Sequence, residues 1–239
     1  MIKKTVIFIS ILFIFLFCVH ENFASGKKNF QQQNHVPVVK ISSPKNNNSY
    51  NAGSQIHYQI DVSDKEDGES KYDEIDAKQV LIEMRYFDDA SKANSNVSNN
   101  DAPGLAAMKT SNCFNCHAFD NKLIGPSFSD INKRYKPTNA NIALLQKRIK
   151  NGSTGVWGKT PMPTHPELSD MQVKNMVQWI MQNASAPNMH YYIGLEGNVT
   201  LPAKNKTGVY QLTASYTDHG VNNTGERLEG KDVIFIKIK

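Results

Sequence analysis

The five residues Cys113-Phe114-Asn115-Cys116-His117 constrain this 239-residue chain more than any other feature. The pattern C-x-x-C-H is typical of the attachment site of a c-type haem. Its two thiols are spaced to add across the two vinyl groups of one porphyrin, and the histidine is then held beneath the iron as an axial ligand. The motif therefore predicts one covalent haem c and a role in moving single electrons.

Two other kinds of site share part of this pattern. A structural zinc site needs a second pair of ligands, and the only remaining cysteine is Cys18, in a hydrophobic leader. A thioredoxin-like redox pair follows a strand, whereas the residues from Gly104 to Asn112 have the pattern of a helix. Both alternatives fit the sequence less well than haem.

Residues 1–26 have the pattern of a signal peptide. Lys3 and Lys4 precede an apolar run from Thr5 to Val19, and small residues follow at 24–26. The run is short for a membrane span, which needs about 20 apolar residues. The pattern predicts export to the periplasm or the medium with no membrane span after cleavage. A lipid anchor on Cys18 is the alternative, although the bulky Phe17 precedes it.

The rest of the chain divides into three parts. Residues 36–90 and 189–239 show strand patterns separated by polar turns, and residues 101–186 show helical patterns around the haem motif. The strands are predicted at 36–42, 55–62, 80–87, 189–195, 199–201, 209–216 and 233–239. Polar linkers are predicted at 91–101 and 184–188.

Three helices are predicted in the middle part. The first contains Leu105 and Met108, the second contains Ile142, Leu145 and Ile149, and the third follows a capping residue at Ser169. About 86 residues make a small core, so a bound haem would complete it. For the sixth iron ligand we favour Met162, which lies between two prolines in a loop, and His165 remains the competitor.

The middle part resembles the short bacterial class I cytochromes c, including those that donate electrons to nitrite reductase. The matching segments are the haem motif, Ile124–Phe128, Arg148–Ser153, Gly155–Gly158, Pro161–Pro163 and Val177–Ile180. The resemblance implies that His117 and Met162 bind the iron and that the Pro126 carbonyl accepts the imidazole N–H. It also implies that Arg148 and Trp157 approach the haem propionates, with core packing as the alternative role for Trp157.

The flanking strands resemble PKD-type immunoglobulin-like modules at 64–68 and 210–218. Such modules accompany cytochrome segments in secreted quinoprotein sugar dehydrogenases, whose dehydrogenase domain this chain lacks. Three strands before the helical part and about four after it add up to one sandwich. We therefore expect an all-α class I cytochrome c fold inserted in, or flanked by, an immunoglobulin-like β-sandwich, with two separate small β elements as the alternative.

Charge adds two weaker expectations. The formal net charge of +5 is too small to indicate nucleic acid binding, but residues 101–186 carry ten Lys or Arg and five Asp or Glu, an excess that favours an acidic redox partner. An Asp- and Glu-rich turn at 61–69, with Asp218, has the ligand type of a calcium site, although a solvated turn is the commoner meaning.

These patterns predict an exported monohaem electron carrier rather than an enzyme, and the resemblances imply a quinoprotein dehydrogenase or a terminal reductase as its redox partner. Two alternatives remain open at this point. One is a haem sensor with a labile sixth ligand, and the other is a carbohydrate-binding or adhesion module to which the haem is accessory.

Overall fold

The computed structural model describes residues 33–95, 101–223 and 225–239. The predicted signal peptide and Cys18 lie outside these residues. Nine strands are found in the described ranges: β1 Val38–Ser43, β2 Ser49–Tyr50, β3 Gln55–Asp64, β4 Gly68–Glu69, β5 Leu81–Phe87, β6 Met189–Ile193, β7 Glu196–Thr200, β8 Val209–Thr217 and β9 Glu229–Ile238. The helices there are α1 Ala90–Ser95, α2 Pro103–Lys109, α3 Phe128–Arg134, α4 Asn139–Asn151 and α5 Asp170–Asn183.

Strands from both sides of the helical part pair in the same two sheets. In the first sheet β3 pairs antiparallel with β1, β4 and β7. The second sheet has the order β2-β9-β8-β5-β6, in which only the β2–β9 contact is parallel among the described strands. Since β5 precedes the helical part and β6 follows it, this part of the chain leaves and re-enters the second sheet at neighbouring strands.

A common hydrophobic core joins the two sheets. Strand β3 alternates between exposed and buried residues and buries one side chain in every two, as expected of a strand with one solvated face. Its buried residues Ile56, Tyr58 and Ile60 share a core with Met84 of β5 and Leu212 of β8. The β-rich part is therefore a pair of facing sheets built from chain segments more than 100 residues apart.

The second sheet is covered on its other face as well. Even-numbered β8 residues point into the sandwich core, so by alternation the odd-numbered residues Gln211, Thr213 and Ser215 face outward. This outer face lies against the helical part, where Leu81 of β5 and Tyr191 of β6 share a second core with Leu105 and Trp179. The helical part thus packs directly onto the sheet.

Buried ion pairs reinforce this contact. Lys109, at the end of α2, has a side chain only 1% exposed, and its Nζ lies 3.0 Å from an Asp101 oxygen. It also contacts the Glu229 carboxylate and, at 2.8 Å, the Ser215 hydroxyl. Lys231 binds both carboxylates, at 2.8 Å from Asp101 and 2.9 Å from Glu229. Two cations and two anions from both parts of the chain therefore balance in one network.

The sequence prediction needs correction at several points. The expected linker 91–101 begins instead as helix α1, which buries Ala93 against the sandwich, and its residues 96–100 lie outside the described part. The first strand starts at Val38 rather than at residue 36, and β9 starts four residues earlier than predicted, at Glu229. Strands β2 and β4 were not predicted because two-residue strands show no periodicity. The immunoglobulin-like classification stays a prediction.

The three predicted helices of the middle part are confirmed, although the first ends at Lys109 rather than at the haem motif. Helix α2 begins at Pro103, a favoured first helical residue. Helix α5 begins after Ser169, whose hydroxyl accepts from the Gln172 backbone while the Gln172 side chain accepts from the Ser169 backbone, a full capping box. No helix in the described ranges is long and apolar enough to cross a membrane.

Candidate functional site

The haem-motif residues form a short 3₁₀ turn at Cys113–Asn115. Asn112 enters it with a positive φ of 56°, a conformation that Asn tolerates better than most residues. The His117 amide then donates to the Cys113 carbonyl at 3.0 Å. This turn brings Cys113, Cys116 and His117 to the wall of one cavity, and neither cysteine forms a disulfide within the described part of the chain.

The His117 ring is fixed by its surroundings. Its Nδ1 lies 2.7 Å from the Pro126 carbonyl oxygen, and because a carbonyl only accepts, Nδ1 carries the proton. The ring also stacks on Phe128 at a centroid distance of 5.4 Å, and burial lowers the pKa of His117. The neutral ring therefore keeps the lone pair of Nε2 for a metal.

Gly125 makes this close fit possible. A Cβ atom added there would lie 2.5 Å from Cε1 of His117, which is closer than any side chain tolerates. The Gly125 amide is held by the Cys116 carbonyl at 2.8 Å, so the backbone is tied to the motif itself. The close approach explains why glycine precedes Pro126.

Met162 reaches the same cavity from a closed loop. Its amide donates to the Ser153 carbonyl at 2.8 Å, and its carbonyl accepts from the Ser153 amide at 3.2 Å. Gly152 precedes this bridge with a φ of +78°, which favours glycine. The two hydrogen bonds anchor the Met162 loop to the end of helix α4.

His165, the competing ligand predicted from sequence, lines the cavity too. Its amide donates to the Ile149 carbonyl at 3.1 Å, and its Nδ1 lies 3.0 Å from a Glu167 carboxylate oxygen. The fold thus brings both candidate iron ligands, Met162 and His165, to the cavity. Of the two, the His165 ring already contacts a carboxylate, that of Glu167.

The cavity has a volume of about 390 Å³. It is lined by all seven residues predicted for haem binding: Cys113, Cys116, His117, Pro126, Arg148, Trp157 and Met162. Most other lining side chains are apolar, among them Met108, Phe128, Ile131, Leu145, Met176 and Ile180. Burial raises the pKa of the Cys113 thiol to about 12, with the nearby Cys116 adding to the shift. An apolar slot with two cysteine side chains and a fixed imidazole on its wall fits a covalently attached haem.

Arg148 and Trp157 take partners within the protein. Arg148 donates to the Tyr135 hydroxyl at 2.5 Å, and the guanidinium of Arg134 lies 4.5 Å from the Trp157 ring centroid. Arg134 and Tyr135 were not predicted as residues of this site. They reach the Trp157 ring because the end of helix α3 lies beside the Trp157 loop. The contact of Arg148 and Trp157 with the haem propionates stays a prediction.

An aromatic cluster connects this site with the second sheet. Phe119 lies 5.3 Å from Phe128 and 4.7 Å from Tyr191, as distances between ring centroids, and it stacks on Tyr191. Tyr191 also meets Trp179 of α5 at 5.3 Å. No local sequence pattern predicted this cluster, since Phe119 and Tyr191 are 72 positions apart.

The Asp-rich turn does not assemble a calcium site. Within the described ranges, no group of three or more His, Cys, Asp or Glu residues is placed to hold a metal ion. Asp64 accepts from the Glu66 and Asp67 amides at 2.9 and 2.7 Å. Asp67 accepts from the Tyr216 hydroxyl at 2.6 Å, and Asp218 from the Leu228 amide at 2.8 Å. The carboxylates instead stabilise the loops between strands.

Comparison with known proteins places the similarity in the helical part. The family model described as cytochrome c matches residues 102–184. Cytochrome c-551 of Azotobacter vinelandii is 38% identical over 78 residues, which are 33% of this chain and 94% of that protein. Cytochrome c-552 of Nitrosomonas europaea is 38% identical over 73 residues, 30% of this chain and 71% of that protein.

A crystal structure of the wild-type Nitrosomonas europaea cytochrome c552 is also similar. It shares 36% identity and a TM-score of 0.32, and the alignment covers 33% of this chain and 96% of that one. The residues matched by the family model, 102–184, include those that line the cavity and helices α2 to α5.

Proposed function

The chain belongs to the cytochrome c family, and on that premise we propose that it is an exported electron carrier with a His117- and Met162-ligated haem. It takes one covalently attached haem c and acts in electron transfer rather than as an enzyme. The observation that carries the ligand proposal is the convergence of both thiols, the fixed imidazole and the Met162 loop on one apolar cavity. Haem, when bound, supplies an iron that exchanges single electrons.

Cys113 and Cys116 hold the haem in this proposal, each thiol adding to one vinyl group. Their position on a tight turn directly before His117 fixes the attachment and the axial ligand together. The Pro126 carbonyl keeps the proton on Nδ1 of His117, which orients the ring and raises its donor strength. The protein therefore orients the His117 ring through its own contacts, without help from the haem.

Met162 is the proposed second ligand. The Ser153 bridge and the flanking prolines restrict its loop, so the thioether is held in place in both oxidation states. A restricted ligand pair keeps the coordination constant and limits reorganisation during electron transfer. Arg148 and Trp157 are proposed to meet the propionates through charge-assisted and indole N–H hydrogen bonds.

The paired sheets are proposed to be a platform for this carrier. We assign residues 36–90 and 189–239 to one discontinuous immunoglobulin-like domain with the cytochrome at 101–186 inserted in it. The support is the pairing of β3 with β7 and of β5 with β6 and β8. The platform covers helices α2 and α5, so a redox partner would approach the cavity from its other side.

Export and the partner complete the proposal. Residues 1–26 are proposed to direct the chain to the periplasm or the medium, with Cys18 lipidation as a variant of the same location. The partner is proposed to be an acidic redox protein, either a quinoprotein dehydrogenase or a terminal reductase. The excess of Lys and Arg in residues 101–186 supports electrostatic steering.

Carbon monoxide binding tests the ligand proposal. The haem-loaded protein, reduced and exposed to carbon monoxide, should keep its spectrum because a firm Met162 ligand leaves no open position on the iron. Rapid carbon monoxide binding would instead favour a sensor with a labile sixth ligand.

The proposed acidic partner is tested by kinetics. Stopped-flow reduction of the haem by an acidic redox protein should slow as ionic strength rises.

A further inference from the structure

A second cleft, of about 870 Å³, lies between the outer face of the second sheet and helices α2 and α5. Its volume falls in the range of small-molecule sites, about 300–1,000 Å³, and such sites often form between packed units. It is separate from the haem cavity, because Trp179 and Tyr191 line this cleft and do not line that cavity. The electron-transfer proposal does not use it.

The cleft contains a buried acceptor that has no partner. Gln211, in the middle of β8, is 4% exposed. Its Nε2 donates to the Thr213 hydroxyl at 3.3 Å, but its Oε1 has no hydrogen-bond partner among the described residues. Leaving such a buried oxygen unsatisfied is unfavourable, so the position favours a ligand that donates an O–H or N–H.

The charges along the cleft are already balanced. Arg85 binds Glu83 at 3.1 Å, Lys231 binds Asp101 at 2.8 Å, and Lys92 binds Asp88 at 2.9 Å. A charged ligand would therefore have to break an existing pair or remain without a counterion. A neutral ligand avoids this cost.

The remaining wall is apolar and aromatic. Leu105 of α2 and Trp179 of α5 line the helical side of the cleft, and Tyr191 of β6 lies beside Glu83 on the sheet. Their side chains suit the face of a ring, while the Glu83 carboxylate and the Gln211 oxygen suit hydroxyl groups at its edge. Burial raises the pKa of Glu83, although Arg85 opposes the shift.

We propose that this cleft binds a neutral ring-shaped molecule that carries hydroxyl groups, with one hydroxyl donating to Oε1 of Gln211. Two sources share this chemistry, a saturated cyclic polyol or sugar and an aromatic diol. This proposal goes beyond electron transfer and does not depend on which residues ligate the iron.

Calorimetric titration of the reduced, haem-loaded protein under anaerobic conditions tests the proposal. The probes are D-glucose, myo-inositol and hydroquinone, and keeping the haem reduced prevents oxidation of hydroquinone. We expect saturable one-to-one binding of at least one probe. Binding of either sugar-type probe identifies the saturated source, and binding of hydroquinone alone identifies the aromatic one.

Gln211→Leu is the decisive variant, because leucine keeps the volume and removes the acceptor. It should weaken binding about tenfold, the effect of one lost hydrogen bond of about 1.4 kcal/mol. Gln59→Leu, the same change at an exposed position of β3 on the first sheet, should leave binding unchanged. Equal affinity of Gln211→Leu and the wild type overturns the proposal, and so does the absence of binding by all three probes.

A wild-type measurement guards against misfolding of the variant. The bound probe should shift the indole N–H resonance of Trp179 and leave that of Trp157, which lines the haem cavity, in place. A probe that moves only Trp157 binds elsewhere and overturns the assignment. Failure of this test leaves the redox spectra untouched, so the two proposals are judged separately.

Discussion

At the scale of single residues, the haem cavity is built by backbone constraints as much as by ligand side chains. Gly125 allows the His117 ring to lie against the chain, and the Pro126 carbonyl holds its proton on Nδ1. The backbone bridge between Ser153 and Met162 likewise restricts the Met162 loop. The side chains proposed to bind the iron are thereby positioned by the protein itself.

Met162→Ala and His165→Ala together test the sixth ligand. We expect Met162→Ala to abolish the thioether-to-iron charge-transfer band of the ferric protein and to lower the reduction potential, because a thioether opposite histidine raises that potential. His165→Ala should be nearly silent, since His165 is tied to Glu167. Optical spectra and redox titration measure both effects.

The haem should stay attached in both variants because Cys113 and Cys116 remain. An oxidised spectrum that is unchanged in Met162→Ala but altered in His165→Ala would reverse the ligand assignment. The two residues are only three positions apart, so each serves as the control for the other.

At the scale of secondary-structure elements, the contact between α2 and the second sheet depends on a buried ion network. Lys109 lies at the end of α2, four residues before Cys113, and reaches Ser215 of β8 and Glu229 of β9. The helix that leads into the haem motif is thereby fixed to the sheet.

Lys109→Met should destabilise the protein by about 3–5 kcal/mol, because removing one partner leaves buried carboxylates without full compensation. Lys71→Met is the control: Lys71 pairs with Glu69 on an exposed surface, where ion pairs contribute little. Urea unfolding of the haem-loaded proteins measures the difference. If both variants lose stability equally, the network has no special role at this contact.

Glu83 on β5 gives a pH-dependent prediction. Burial raises its pKa above the ordinary value of 4.5, although Arg85 opposes the shift. The favourable contribution of the protonated carboxyl is present below the unfolded pKa and is lost as pH rises through the folded pKa. Glu83→Gln lacks this loss, so its stability relative to the wild type should rise as pH increases from the ordinary value of 4.5 through the raised folded pKa.

Unfolding free energies of Glu83→Gln and the wild type at several pH values measure the effect. The amide imitates the protonated carboxyl, so the two proteins should differ least at the acidic end. A difference that stays constant across this range would show that Glu83 titrates normally in the folded protein.

At the scale of the whole molecule, the cytochrome part packs directly against the second sheet instead of being joined to the β-rich part by linkers alone. The second sheet has one face in the sandwich core and the other against α2 and α5. The platform's two halves hold each other across the inserted part through the β3–β7 and β5–β8 pairs.

Proteolysis tests this arrangement. Protease sites introduced at residues 96–100 and 184–188 should allow cleavage into three pieces, of which the first and last stay associated under native conditions. Their shared core, which contains Ile60, Met84 and Leu212, supplies the reason. Size-exclusion chromatography before and after denaturation is the measurement, and separation of the two β pieces without denaturant would support two independent β elements instead.

Local patterns determined the parts of this protein that depend on neighbouring residues. The haem motif, the capping box at Ser169 and the alternation of β3 are each complete within a few positions. These features predicted the cofactor, the helices and most strands, because capping and side-chain periodicity are short-range effects. The loop position of Met162 and its predicted role followed from the same kind of signal.

The tertiary structure decided which surfaces these elements bury. Strand β8 is buried on almost every residue, yet its sequence does not tell what covers the face of Gln211, Thr213 and Ser215. Lys109 has the polar character of a surface helix residue but is enclosed by carboxylates from segments up to 120 positions away. Burial and charge pairing are set by contacts between distant segments, so only the folded chain brings together the ion network, the aromatic cluster and the second cleft.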